Sequence, residues 1–423
     1  MLDDALHPDH PPAYRRGLFW SALALAASVF PLIWMGGLVT SHGAGLSVPD
    51  WPNSYGYNMV LFPPSQWVGG IFYEHTHRLL GTLSGFLATI LLLMAWGPSQ
   101  NAGARRGWKV TAVTLWLLTL AAGVFAYLAA SQAWFEEKIV HLLPHFGVGF
   151  GSLALVATLA ALCRNREPRR WVRWLTVGVF VAVCIQGFLG GYRVKLAELH
   201  LAIVHGIFAE LFFALAGVTV VITSQWWQRQ AADGRENGLI PKSIVYLAGV
   251  TLFAIFCQLV VGAMMRHNNA GLAIPGVLVY GKLLPPMNAD ALDAINAARA
   301  WDVEHLPPTT LAGMWLHFGH RIGAIIVSTL VISLVVSVLR KTTVKRAAGR
   351  AAVILLGLLV TQATLGVLTV YWRKPADVAS LHVAVGALTL MTTAVLTTVL
   401  ARQAAWRTVR REAAAPTGRL ATV

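Results

Sequence analysis

Charged side chains are scarce in this sequence. Asp, Glu, Lys and Arg make up 12% of the 423 residues, while 56% are hydrophobic. A soluble domain usually carries about 25% charged residues, so the composition excludes an ordinary soluble protein and indicates a polytopic membrane protein. The 33 Lys and Arg outnumber the 18 Asp and Glu, but no basic soluble domain collects the excess, and nucleic-acid binding is not expected.

Cysteine is scarce as well, with three residues, Cys163, Cys184 and Cys257. Each lies in or at the end of an apolar run, and the chain has no CxxC or HExxH motif. This pattern argues against a disulfide framework or a thiolate metal site and predicts three small buried hydrophobes. The polar segment 1–16 lacks the basic start and short apolar region of a signal peptide, so we expect a cytoplasmic tail.

Long apolar runs, by contrast, are abundant. Runs of about 20 residues or more, enough to cross a bilayer, lie near 17–41, 68–97, 108–130, 139–163, 172–194, 199–224, 243–265, 311–339, 351–372 and 378–401. The sequence therefore predicts an all-α polytopic membrane protein with about ten transmembrane helices.

Lys and Arg cluster in alternate loops between these runs, and the positive-inside rule makes those loops and both termini cytoplasmic. The predicted location is a bacterial plasma (inner) membrane. This orientation places the intramembrane histidines near the outer ends of their helices: His77, His141, His145, His200, His205, His317, His320 and His382.

The chain also contains an internal repeat. Segment 36–49 recurs as 262–275, each copy is followed by a Tyr-Gly pair, and a His-Arg helix comes next in both halves. The repeat predicts two pseudo-symmetric four-helix halves, 17–224 and 243–401, with a helix pair at about 108–163 inserted in the first and a cytoplasmic tail at 402–423. Transporters also use repeats, so the repeat alone does not decide function.

Four histidines in repeat-matched places carry the chemistry. Titratable groups are costly at membrane depth and mark functional sites. Two helices that face one another in a bundle can each give an imidazole to one haem iron. We therefore predict two haem sites, with the ligand pairs His77–His205 and His320–His382. Arg78 and Arg321 directly follow two of these histidines, and a guanidinium there could pair with haem propionates.

The halves differ at one informative place. Glu74 lies three residues before His77, whereas His317 lies three residues before His320. Residues three apart share a helical face, so only the first half puts a carboxylate beside a ligand candidate. Such a group could act as a base or stabilise developing positive charge. The first half therefore has the features of a catalytic site and the second those of a redox cofactor site.

Several alternatives stay open at this point. A zinc or copper site could form at His75–His77 or at His317–His320. His141 and His145 could be structural or line a substrate access route, and His141 is a rival to His205 as ligand. Glu210 could belong to a proton path or be a hydrogen-bonded core group.

The motifs that carry these residues resemble those of haem A synthase, the Cox15/CtaA family. They are GGLVTSHGAGLSVPDWP at 36–52, EHTHRLLG at 74–81, QGFLGG at 186–191, HFGHR at 317–321 and LGVLTV at 365–370. The resemblance implies oxidation of a haem O methyl group by two hydroxylations, giving a hydrated aldehyde that loses water to form haem A for cytochrome oxidase. It implies Glu74 as catalytic carboxylate, His77 and His205 as holders of the substrate haem, and His320 and His382 as ligands of haem b.

The resemblance has two departures. Many members carry a cysteine pair in the first external loop, where Val48 and Ser54 stand here, and their common architecture has eight helices rather than ten. Haem O synthase, oxidase assembly proteins, an electron acceptor and a second copy of the chain are the expected partners. The competing functions are a di-haem b electron-transfer protein and a haem-delivery or oxidase-assembly factor.

Overall fold

The computed structural model describes residues 14–97, 102–131, 143–162, 166–233, 240–301 and 306–413. Regular secondary structure in these ranges is helical, and no β-strand occurs in them beyond two isolated bridges. A bilayer offers no water to an unpaired backbone, so helices are the expected way to satisfy it. The predicted all-α class is confirmed.

Twelve α-helices lie within the described ranges. In chain order they are α1 (Arg16–Ser41), α2 (Gly70–Trp96), α3 (Ala102–Ser131), α4 (Leu143–Leu162), α5 (Arg170–Leu196), α6 (Leu199–Thr223), α7 (Gln225–Asp233), α8 (Lys242–His267), α9 (Ala289–Ala300), α10 (Leu311–Leu339), α11 (Ala347–Tyr371) and α12 (Ala376–Ala413). All except α7 and α9 are long and apolar enough to cross a membrane, which confirms the ten predicted spans. Helix α12 continues to Ala413, past the boundary at 401 that its apolar run suggested.

The described chain forms two compact units. The first runs to Phe212 and includes Ile222–Ser224. In it α1 packs on α2, α2 packs on α5, and α3 pairs with α4. The pair α3 and α4 lies where the sequence predicts an inserted helix pair, at about 108–163, and its status as an insertion stays a prediction. Most of the α3 side chains are exposed, as expected of a surface that faces lipid.

The second unit comprises Phe213–Val221 and the residues from Gln225 onward. Helix α8 packs on α10 and α12, and α11 packs on α10 and α12, around a fully buried apolar core that includes Ala248, Val331, Leu334 and Leu355. Cys257 on α8 is exposed, so the expectation of burial was wrong for this cysteine, which lies on a surface that lipid can cover. The assignment of a separate role to each half stays a prediction.

The two copies of the sequence repeat also have the same backbone conformation in their loops. The loops after α1 and α8 each contain a two-residue turn closed by a short bridge, Ser54–Tyr57 in one and Val279–Lys282 in the other. Both turns are Tyr-Gly with positive φ at both residues, 50° and 80° in the first and 51° and 80° in the second. Such a turn requires left-handed backbone at both positions, so the two loops share one conformation.

Candidate functional site

The predicted ligand pair of the first half comes together between α2 and α6. The ring centroids of His77 and His205 lie 6.3 Å apart and the rings are nearly perpendicular, at 82°. The Nδ1 atom of His77 lies 3.2 Å from the carbonyl oxygen of Leu32. A ring that donates from Nδ1 keeps the Nε2 lone pair for a metal.

The second half repeats this geometry between α10 and α12. The ring centroids of His320 and His382 lie 6.5 Å apart at an interplanar angle of 73°. The side-chain amide of Gln258 orients His320, because its Nε2 atom lies 2.8 Å from the His320 carbonyl oxygen and 3.1 Å from its Nδ1.

Both separations fit two imidazoles on opposite faces of one iron. A metal–imidazole bond is about 2 Å long, so two such bonds and the two ring radii place the centroids roughly 6 Å apart. Fewer than three His, Cys, Asp or Glu side chains converge at any point of the described residues as a metal-binding group. The donor sets therefore favour haem, which brings four nitrogens of its own, over the zinc or copper alternative.

Four glycines stand directly behind the four imidazoles. A Cβ atom added at Gly36 or Gly190 would lie 2.9 Å from Cε1 of His77 or His205, and one at Gly262 or Gly366 would lie 3.1 Å from Cε1 of His320 or His382. Carbon atoms pack best at about 3.5–4.0 Å, so glycine leaves the ring just enough room. These contacts were not singled out from the sequence, although the repeat of segment 36–49 at 262–275 pairs Gly36 with Gly262.

Glu74 is buried, at 3% exposure, and both of its carboxylate oxygens accept hydrogen bonds. Its Oε2 atom accepts a hydrogen bond from the Val48 backbone at 2.9 Å, and its Oε1 atom pairs with Nη2 of Arg78 at 2.8 Å. Arg78 also donates to the backbone carbonyls of Val48, Asp50 and Asn53, at 2.6, 2.7 and 2.9 Å. The pair therefore ties the loop after α1 to α2.

The second half places an imidazole where the first half has this carboxylate, and a neutral imidazole accepts at one ring nitrogen only, so one of its two contacts is an accepted hydrogen bond. The Ile274 backbone N–H lies 3.2 Å from Nδ1 of His317, and Nε of Arg321 lies 3.2 Å from its Nε2. Arg321 donates to the carbonyls of Ile274, Gly276 and Val277. Anchoring the loop thus needs a hydrogen-bond acceptor but no negative charge, so the carboxylate of Glu74 is a feature of the first half that anchoring does not explain.

Arg78 and Arg321, the arginines that follow the two histidines, donate to backbone carbonyls that the sequence did not indicate as partners. Their predicted pairing with haem propionates is tested by nothing in the geometry and stays a prediction. A cation that the sequence analysis missed is Arg193, at the end of α5. It donates from Nη2 to the carbonyl of Gly45 at 2.9 Å and interacts electrostatically with Glu74.

The remaining polar candidates lie around this centre. His75 is fully buried, 3.2 Å from the Ser54 hydroxyl and packed on Phe62 and Trp67, so it holds the first loop. His145 lies 3.3 Å from Oδ1 of Asn53 in that loop, whereas His141 falls outside the described residues.

Glu210, on α6 five residues after His205, is 6% exposed, and its Oε2 atom finds no hydrogen-bond partner among the described residues. These observations do not distinguish between its two predicted roles, a residue of a proton path and a hydrogen-bonded core group.

Comparison with known proteins gives a consistent result. Residues 145–395 match the model of the COX15-CtaA family, described as cytochrome oxidase assembly protein. A Heme A synthase of Shewanella oneidensis is 24% identical over 85% of this chain and 90% of its own length. Similar relatives, also named Heme A synthase, come from Beijerinckia indica (24% identity, 88% of this chain and 89% of the relative) and Bacillus mycoides (21%, 87% and 88%).

Proposed function

Because the chain belongs to the COX15-CtaA family of cytochrome oxidase assembly proteins, we propose that it is a haem A synthase, an oxidoreductase that converts a methyl group of haem O into the formyl group of haem A. The observation that carries the proposal is the asymmetry of two otherwise matched sites. Each half pairs two imidazoles at a spacing that suits one iron, and only the first half places a carboxylate one helical turn from a ligand.

In the proposed mechanism His77 and His205 hold haem O, the substrate, in the first half. Two successive hydroxylations convert its methyl group to a hydrated aldehyde, which loses water. With water as the source of the formyl oxygen, the net change R–CH3 + H2O → R–CHO releases four electrons to an acceptor and four protons, two from the methyl group and two from the water. The second half, through His320 and His382, would hold haem b, which supplies a route for electrons to an external acceptor.

Glu74 is the proposed catalytic group. Arg78 and the Val48 N–H fix both carboxylate oxygens, so the negative charge is already oriented before substrate binds. A preorganised charge stabilises positive charge that develops on the substrate without any reorganisation during the reaction. The same carboxylate can accept a proton released from the methyl carbon.

The proposed setting is the plasma membrane of a bacterium, with both termini in the cytoplasm and the two sites near the outer surface, because the basic loops alternate with the spans. Haem O synthase and oxidase assembly proteins are the proposed partners, since one supplies the substrate and the others use the product. A homo-oligomer stays a prediction.

The decisive test replaces Glu74 by the residue that the second half uses at the equivalent position. Glu74→His keeps an acceptor for the loop and removes the carboxylate, and Glu74→Gln removes the charge with little change of shape. In a host that supplies haem O, we expect both variants to retain haem b and to lose haem A, as measured by pigment extraction and mass analysis. Continued formation of haem A would refute the role of Glu74.

The close match between the two histidine pairs favours one second candidate, a di-haem b electron-transfer protein. In that case the protein would bind haem without changing its pigment, Glu74→Gln would have no effect on electron transfer, and no haem A would form in the unmodified protein. A haem-delivery or assembly factor would also make no haem A but would co-purify with an oxidase subunit.

A further inference from the structure

A glutamine side chain stands beside one ligand imidazole of the second half, where the first half has a leucine. Gln258 on α8 and Leu32 on α1 occupy equivalent places, each four residues before a copy of the repeated segment and thus one helical turn before a glycine that backs a ligand ring. In each half the Nδ1 atom of that ring faces this residue. The partner of His77 is the backbone carbonyl of Leu32, at 3.2 Å. The partner of His320 is the side-chain amide of Gln258, at 3.1 Å.

The amide of Gln258 turns its nitrogen toward His320. The same nitrogen atom that faces Nδ1 lies 2.8 Å from the carbonyl oxygen of His320. This carbonyl fixes the orientation of the amide, because an amide oxygen at that distance would repel it, whereas the NH2 group donates to it. Gly323 on α10 makes room for the amide oxygen, since a Cβ atom added there would overlap it. The first half has Leu80 at the matching position, three residues after its ligand.

The Nδ1 atoms of the two imidazoles therefore have opposite partners. An imidazole that binds iron through Nε2 carries its proton on Nδ1. At His77 this proton has a carbonyl acceptor, and such a hydrogen bond raises the basicity of the ligand. At His320 it faces an NH2 group, which offers two donors and no acceptor. Because a more basic imidazole stabilises ferric iron relative to ferrous iron, the partner of Nδ1 acts on the reduction potential of the haem.

Glutamine occupies this place at three of the four ligand positions. Gln186 and Gln362 also come four residues before a glycine that backs a ligand ring. The amide nitrogen of Gln186 donates to the carbonyl oxygen of His205 at 2.9 Å, the same backbone contact that Gln258 makes with its own ligand histidine. Leu32 is the exception. The contrast between the halves at this place is therefore a single exchange, leucine in the first half for glutamine in the second.

We propose that Gln258 is a positioning residue that raises the reduction potential of the haem in the second half, because it denies the Nδ1 proton of His320 the kind of acceptor that the Leu32 carbonyl provides in the first half. The proposal rests on the proposed function in one respect, that each half binds a haem between its two histidines. The resulting order of potentials makes the second site the electron acceptor of the pair: one ferric iron there is reduced when one ferrous iron in the first half is oxidised.

Exchange of the two residues tests the proposal, because it should shift the two potentials in opposite directions. Anaerobic potentiometry is performed on the full-length protein, in a His205→Ala background loaded with haem b for the second site and a His382→Ala background loaded with haem O for the first. Gln258→Leu should move the reduction equilibrium of the second site at least tenfold toward ferric haem, which is 59 mV for a one-electron couple. Leu32→Gln combined with Leu80→Gly should move the first site at least tenfold toward ferrous haem.

Two glycines of α10 separate the effect of the amide from damage to the helix. Gly323→Ala meets the end of the flexible Gln258 side chain, so it should displace the amide and shift the second site in the same direction as Gln258→Leu. A Cβ atom at Gly319 meets nothing within 4 Å, so Gly319→Ala should leave the potential unchanged, as should Leu80→Gly alone in the first half. Only protein with a bis-histidine spectrum is compared, and Gly323→Ala carries the test if Gln258→Leu binds no haem.

The proposal is overturned if Gln258→Leu or Gly323→Ala binds haem without lowering the potential of the second site, or if the exchange in the first half fails to raise its potential. A purely structural role of the glutamine would loosen haem binding without shifting the two potentials in opposite directions. Neither readout involves formation of haem A. A protein that makes no haem A but shows these shifts would therefore contradict the proposed function and leave this role of Gln258 in place.

Discussion

Replacement of Gly190 by alanine should selectively weaken haem binding in the first half. The added Cβ atom would lie 2.9 Å from Cε1 of His205, about 0.6 Å inside the shortest comfortable carbon–carbon contact. Overpacking of this kind costs about 1–3 kcal/mol. The imidazole of the haem-free protein can turn away, so we expect the cost to appear when the ring must return to bind iron. At 1.4 kcal/mol per factor of ten, affinity should fall about 5- to 140-fold.

Gly187, one turn earlier on the same helix, provides the control. A Cβ atom there meets nothing within 4 Å, so Gly187→Ala should leave binding intact, and the better helix propensity of alanine should stabilise α5 by up to about 1 kcal/mol. The assay is a haem titration of haem-depleted protein, followed by the absorbance of the reduced bis-histidine species. Equal affinities for the two variants would refute the account of the glycine behind His205.

Three further predictions concern the glycine behind His382, the buried Arg78–Glu74 pair and His145. Gly366→Ala should weaken haem binding in the second half, while Gly357→Ala, where a Cβ atom meets nothing within 4 Å, should not; equal haem titrations would contradict this. Arg78→Gln should destabilise the protein by about 3 kcal/mol or more, because breaking a buried ion pair strands its partner, and thermal unfolding in detergent should place it well below the exposed-site control Arg106→Gln. His145→Ala should cost less than about 1.5 kcal/mol, the value of one hydrogen bond, and a lost haem spectrum would show that this histidine is a ligand instead.

The ten spans could be predicted from the sequence because apolar length is a local property of the chain. The pairing of His77 with His205 is a contact between residues 128 positions apart, and hydropathy alone left His141 as a rival. The repeat favoured His205, because only that histidine has a counterpart in the second half. Where two halves of a chain obey the same constraints, comparison of the halves carries information that a single motif lacks.

What the sequence did not reveal depends on how the loops fold back. The His-Arg pattern placed Arg78 near a ligand, but the three carbonyls that engage it belong to a loop whose turn geometry was not foreseen. Gly36 was missed for a similar reason, since its contact is with a ring on a neighbouring helix.

The proposal that each half binds one iron porphyrin between two imidazoles can be tested by replacing one histidine at a time and counting the haems. The measurement is the molar ratio of haem to protein, with pigment identity, in the parent, His205→Ala and His382→Ala. We expect two haems in the parent and one in each variant, with haem b alone retained in His205→Ala and no haem b in His382→Ala. Two haems in both variants, or the loss of both haems from folded protein on removal of a single histidine, would contradict it.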